Sequence, residues 1–196
     1  DKFRNRLILP VIDVRGDVVG FGSRVLDKSE PKYMNTPETL TYSKRRVLYG
    51  LNLAKKSKRP NIILCEGNLD IVTLHQAGFD NAVASMGTAL TVEQTRLLSR
   101  FTKELVLCYD NDNAGKIATE RALQILNGSE FSVKVLQLPR RLVDGEYIKQ
   151  DADDFIKLQG PDAFERLLNG SENGVEFRMA QIAGKYDLKD DEARIA

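Results

Sequence analysis

Pro60-Asn61-Ile62-Ile63-Leu64-Cys65-Glu66-Gly67-Asn68-Leu69-Asp70 is the stretch on which the fold turns. Its apolar run, Asn61 to Cys65, is uninterrupted and too short for a buried helix, and it lies between a proline and a polar turn with glycine. Such a run reads as a strand buried on both faces, as in a parallel sheet. Asp70 to Ala77 then reads as a helix. Further along, Ala82-Val83-Ala84 is a short strand, and Thr91-Val92-Glu93-Gln94 has the capping-box pattern of a helix running to about Arg100. Glu104 to Tyr109 is a second buried strand, Ala114 to Leu126 a helix with apolar residues at helical spacing, and Val133 to Leu136 another strand. Strands alternating with helices predict a mostly parallel sheet covered on both faces.

The flanks read differently. Residues 1–26 are β-rich: Leu7 to Asp13 and a second run from Val18 enclose the turn residues Arg15-Gly16-Asp17. Residues 27–43 are loop-rich, with Pro31, Asn35 and Pro37, and residues 44–58 predict a short basic helix. The tail from about Asp153 predicts helices broken at Gly160-Pro161 and Gly170. This gives three parts, 1–59, 60–140 and 141–196, with an α/β centre in a chain that is α+β overall. The sequence starts without Met and stops inside a polar, helix-like stretch, Asp187 to Ala196, so it reads as a piece of a longer protein.

Charge separates the same regions. Residues 1–60 hold fourteen Lys and Arg against six Asp and Glu, a net of +8, and the remainder carries −7. A basic front beside an acidic back suggests two surfaces with different partners, the basic one a candidate nucleic-acid face or simply a solvated one. No apolar run approaches the roughly 20 residues of a membrane span, and no signal peptide is visible at Asp1-Lys2-Phe3-Arg4. Cys65 and Cys108 read as buried thiols of a reducing compartment; two Cys and one His, His75, give no zinc-site spacing. His75 has no partner acid pattern and is expected to pack, and Met86 and Phe101 are expected in the core.

The chemistry lies in the carboxylates. Glu66 directly follows one predicted buried strand and Asp110 the other, so both should face the crevice beyond the strands' carboxyl ends. Asp110-Asn111-Asp112 and Asp151-Ala152-Asp153 each place two acids two residues apart. Acids gathered in one crevice stay ionised together only with a compensating cation, and a set of oxygen donors suits Mg²⁺, Mn²⁺ or Ca²⁺ rather than zinc. Each motif alone has a plainer reading. Glu66-Gly67 can open a helix, Asp112 can cap one, and Asp151 to Asp154 can be a solvated loop. Asp110-Asn111-Asp112 resembles the start of a calcium loop but lacks its closing Glu.

Taken in order, Glu66-Gly67-Asn68-Leu69-Asp70, Asp110-Asn111-Asp112-Asn113-Ala114-Gly115 and Asp151-Ala152-Asp153 resemble the metal-binding motifs of the TOPRIM domain, which primases share with topoisomerases, some nucleases and a recombination protein. Asn5-Arg6, Gly20-Phe21-Gly22-Ser23-Arg24, Pro31 to Thr39, Lys44, Leu48-Tyr49-Gly50-Leu51 and Met86 to Thr91 resemble bacterial replicative primases in particular, over about residues 3–158. The family carries an aromatic residue where Asn68 stands, Gly for Asn111, and Pro then Glu for Ala152 and Asp154.

The resemblance implies a Rossmann-like TOPRIM sheet behind a basic N-terminal subdomain, and synthesis of RNA primers on single-stranded DNA from ribonucleoside triphosphates. It implies Mg²⁺, for which Mn²⁺ can substitute, held by Glu66, Asp110 and Asp112, with Asp151 and Asp153 supporting a further ion. Asp70 is expected to orient the turn rather than bind the ion. Arg6, Arg24, Lys32 and Lys44 are expected at phosphates, and Tyr33 and Asn35 at the template. Family members also have an N-terminal zinc-binding domain and a C-terminal region that contacts the replicative helicase, neither of which is in this sequence. A cytoplasmic monomer is expected. The alternatives are a TOPRIM topoisomerase or nuclease fragment, and a non-catalytic single-strand-binding module.

Overall fold

In a computed structural model, residues 3–185 are described; the stretch Asp187 to Ala196 lies outside them. Strands β1 (Arg6–Ile12), β2 (Val18–Val25) and β3 (Tyr33–Asn35) form an antiparallel front sheet in that order. The turn after β1 is built by Asp13, whose Oδ1 accepts the backbone N–H groups of Arg15, Gly16 and Asp17 at 2.8 to 3.0 Å. The basic helix predicted over 44–58 shrinks to α1 (Leu51–Ala54). Gly50 stops it on the N-terminal side: its φ of 82° is left-handed, and Tyr49 before it pairs as an isolated bridge with Ala84.

The central elements follow the predicted alternation: β4 (Asn61–Cys65), α2 (Asn68–Gln76), β5 (Ala82–Ala84), α3 (Val92–Leu98), β6 (Glu104–Leu107), α4 (Asn113–Leu126) and β7 (Ser132–Val135). After them come β8 (Arg141–Val143), β9 (Glu146–Ile148), α5 (Ala152–Gln159), α6 (Pro161–Asn169), β10 (Glu172–Asn173) and α7 (Gly174–Lys185). The main sheet has the order β10-β7-β6-β4-β5, parallel except for the edge strand β10. Successive residues of its strands feed opposite faces, as the pleat requires. Ile62, Leu64, Leu105 and Leu107 pack with Leu98, Leu123, Leu126 and Phe177 on one side. Ile63, Cys65, Val106 and Cys108 pack with Ile71, Leu74, Phe155 and Phe164 on the other. Helices therefore cover both faces.

Both cysteines are free and buried. His75 spends Nε2 on the carbonyl oxygen of Ala82 at 2.9 Å, a packing role as expected. Met86 is buried and Phe101 packs against the core at its edge.

The predicted capping box is in place. Thr91 Oγ1 accepts the Gln94 backbone N–H at 3.1 Å, Gln94 Oε1 accepts the Thr91 N–H at 3.1 Å, and Thr91 Oγ1 also donates to the carbonyl of Arg45 at 2.7 Å. Gln94, wholly buried, donates to the carbonyls of Lys44 and Val47 and so ties the segment after the front sheet to α3. Thr91→Ala is expected to lower stability by about 1–2 kcal/mol, read as a shift in the denaturation midpoint with an unchanged slope.

Candidate metal and nucleic-acid site

The strand order reverses direction between β4 and β6. From β4 the chain crosses to β5 on one side; from β6 it crosses to β7 on the other. A crevice opens beyond the carboxyl ends of strands at such a switch point. Glu66 and Asp110 stand there, and they meet: the Asp110 backbone N–H donates to Glu66 Oε1 at 3.3 Å. Burial, then the Asp110 charge, push the Glu66 carboxyl above its ordinary range.

The Asp110-Asn111-Asp112 turn is fixed from several sides. Asp112 caps α4, its Oδ1 accepting the Gly115 N–H at 2.8 Å, and this bond, then Lys149, hold its carboxyl below the usual range. The capping reading of Asp112 therefore applies to one oxygen, and the other faces Lys149 at 2.9 Å. Gly115 cannot be replaced, because a Cβ there would lie 1.9 Å from the Asp110 carbonyl oxygen. Asn111 Nδ2 donates to the carbonyl of Leu138 at 3.1 Å.

Asp70 links two of the acidic segments. Its Oδ2 accepts the Gly67 N–H at 3.1 Å and its Oδ1 accepts the Asp153 N–H at 3.2 Å. The side chain is buried, and that burial, with the nearby Asp151 charge, raises its carboxyl to about 7. Asp151 caps α5 through the Asp154 N–H at 2.8 Å. Asp153 accepts from Thr73 Oγ1 and, at 2.6 Å, from Lys157 Nζ. Carboxylate oxygens of Asp151, Asp153 and Asp154 lie within 4.8 Å of one another. Oxygen donors this close, beside acids whose protons are held by burial and mutual repulsion, fit a hard divalent cation.

The front sheet closes the crevice from the opposite side. Arg24, Tyr33, Asn35, Glu66, Asp70, Asp110, Asp151 and Asp153 all line one cleft of about 290 Å³. Tyr33 is half exposed, with the Arg24 guanidinium 5.7 Å and the Lys32 ammonium 5.4 Å from its ring centre. The other predicted residues lie outside the cleft lining. Arg6 donates to the carbonyl of Pro31 at 2.8 Å, where it braces the front sheet. Lys44 is held by its backbone, through Glu38 and Gln94. Asp112 reaches the acids through Lys149 rather than through the cleft wall.

Sequence reasoning missed Asp154, Lys149 and Arg140. Asp154 stood inside a stretch already read as acidic. Arg140 donates to the carbonyl of Asn111 at 3.2 and 3.3 Å, and Lys149 reaches Asp110 at 3.1 Å. Neither contact leaves a signature in residue spacing.

Two family models match: "DNA primase catalytic core, N-terminal domain" over residues 1–55 and "Toprim-like" over residues 63–156. The DNA primase of Clostridium acetobutylicum is 44% identical over 196 residues, covering 100% of this chain and 32% of that protein. That of Haemophilus influenzae is 40% identical, covering 99% and 32%. The chain thus spans about a third of the length of these curated relatives. Among solved structures, a DnaG primase catalytic domain bound to single-stranded DNA superposes with a TM-score of 0.86 at 36% identity, covering 100% of this chain and 61% of that one. The RNA polymerase domain of Mycobacterium tuberculosis primase in complex with double-stranded DNA gives 0.80 at 36%, covering 100% and 62%. This chain belongs to the bacterial DNA primase family and corresponds to part of its catalytic core.

Proposed function

We propose that this chain is the part of a primase that joins ribonucleotides on a single-stranded DNA template. One observation carries the reading: the aromatic and cationic residues of the front sheet and the acids of the parallel sheet line the same cleft. A non-catalytic binding module would have no use for that juxtaposition, since the acids repel a polyanion.

Glu66, Asp110 and Asp112 would hold one Mg²⁺, for which Mn²⁺ can substitute, and Asp151 and Asp153, with Asp154, would hold another. A divalent ion there would supply charge to favour ionisation of the attacking 3′-hydroxyl and to offset the charge developing on phosphate and pyrophosphate. Asp70 acts as a strut, holding the Gly67 turn and the start of α5 at a fixed separation. Tyr33 offers a ring to a template base, and Arg24 and Lys32 close to it offer charge to the backbone. Arg6, Lys44 and Asn35 support that surface. On this reading residues 1–59 hold template, 60–140 hold metal, and 141–196 supply the third acidic segment. The whole protein acts as a cytoplasmic monomer, takes zinc in a further domain and meets the replicative helicase elsewhere in its length.

The direct test is primer synthesis on single-stranded DNA with labelled ribonucleotides in Mg²⁺, Mn²⁺ or EDTA. Short RNA products that need the metal are expected. DNA cleavage or relaxation in their place would favour a nuclease or topoisomerase.

Template binding is expected to weaken steeply with salt. Arg24→Ala is expected to lower single-stranded DNA affinity about three- to tenfold and to reduce the slope of log affinity against log salt by about one. Fluorescence anisotropy across a salt series measures both; a flat response in the parent would remove the basic patch, and an unchanged affinity and slope in the variant would remove Arg24 from it.

A further inference from the structure

Lys149 puts one ammonium between two of the acids. Its Nζ lies 3.1 Å from Asp110 Oδ2 and 2.9 Å from Asp112 Oδ2. A single positive group bridging two carboxylates does the electrostatic work that a divalent ion would do in the same place.

The backbone context gives this contact leverage. Lys149 directly follows β9, so it is one leg of the β8–β9 hairpin. The other leg is Arg140, whose guanidinium grips the carbonyl of Asn111, between the two acids. Both legs therefore hold the same three-residue turn. The ribbon between them is a two-stranded sheet with Leu142 and Tyr147 exposed. A two-stranded ribbon has little stability of its own, so its pose depends on its legs. Next to Lys149, Gln150 is buried with neither amide atom bonded to the protein, which makes this pose poorly satisfied.

We propose that the β8–β9 hairpin is a latch displaced by metal: Lys149 stands in for the divalent ion at Asp110 and Asp112, and entry of the ion expels the ammonium and frees that leg of the hairpin. This rests on the reading of Asp110 and Asp112 as metal ligands. The two states exclude each other, since an ammonium and a divalent ion on the same pair of oxygens repel strongly at that separation. Metal affinity then includes the work of expelling Lys149, and hairpin position reports metal occupancy.

The test uses Mn²⁺ as the probe, its binding to the whole chain followed by the electron paramagnetic resonance signal of the free ion. Lys149→Gln is expected to tighten Mn²⁺ binding about three- to tenfold, the range set by a partly exposed ion pair that no longer competes. Lys149→Arg, which keeps the charge, is expected to bind as the parent does. In the parent, Mn²⁺ is also expected to speed tryptic cleavage after Arg141; in Lys149→Gln cleavage is fast with or without the ion. Unchanged or weaker binding by Lys149→Gln, or parent cleavage indifferent to Mn²⁺, overturns the latch. Asp110→Asn separates the two readings. Loss of one of the two Mn²⁺ sites in that variant leaves the ligand assignment standing even if the latch fails, and an unchanged number of sites overturns both.

Discussion

Asp110→Ala is expected to reduce primer synthesis to background, a loss on the order of a thousandfold, while leaving the fold intact. The loss is large because Asp110 sits where the strand order reverses, its N–H bonded to Glu66 and its carboxylate sharing Lys149 with Asp112. The fold survives because the side chain helps little in holding it. Its one side-chain hydrogen bond described here goes to the half-exposed Lys149, while its charge opposes those of Glu66 and Asp70. Removing it relieves repulsion, so the melting temperature in EDTA should hold or rise slightly. Labelled-ribonucleotide assays beside a circular-dichroism melt check both halves. Normal synthesis by the variant would remove Asp110 from the reaction.

The second large effect is one of pH. In EDTA, stability is expected to fall as pH rises from 5 to 7 and then to level off. Asp70 titrates at about 7 in the fold, against roughly 3.9 when unfolded. Between those values the native state holds the extra proton, so raising the pH favours unfolding; above about 7 both states are ionised and the slope vanishes. From pH 5 to 7 the change is about 2–3 kcal/mol, or roughly 5–10 °C in melting temperature for a chain of this size. Glu66, also raised by burial, adds in the same direction. Asp70→Asn should flatten most of the slope, and Mg²⁺ should flatten it in the parent by compensating the buried charge. Melts in EDTA at half-unit pH steps decide it; a slope of the opposite sign would mean that Asp70 stays ionised throughout.

What could be read from the sequence was what repeats or alternates. The unbroken apolar runs around Leu64 and Val106 announced buried parallel strands, and the turns after them announced where Glu66 and Asp110 would stand. Thr91 and Gln94 announced a helix start by chemistry alone. The helix predicted over 44–58 failed because composition does not show that Gly50 is left-handed, nor that Tyr49 is drawn out to bridge Ala84. The β8–β9 hairpin went unread although Asp144-Gly145 is a strong turn signal; its strands are three residues each, too short for alternation to register. Long-range partners such as Lys149 with Asp110 are set by tertiary packing and have no periodic trace. The family resemblance places Lys44 at a phosphate; its described bonds are through its backbone and leave the ammonium available for that role.

The two sheets differ in how much holds each of them shut. The front sheet rests on a small cluster, Val11, Tyr42, Val47 and Met86, whereas β4 and β6 are packed on both faces. Local opening follows such differences, with the thinner packing yielding first. On the proposed reading, the template-holding surface is therefore the part that loosens most cheaply, and Glu66 and Asp110 are rooted in the part that loosens last. A protein arranged this way can let go of one strand and take up another without dismantling the charged centre between rounds.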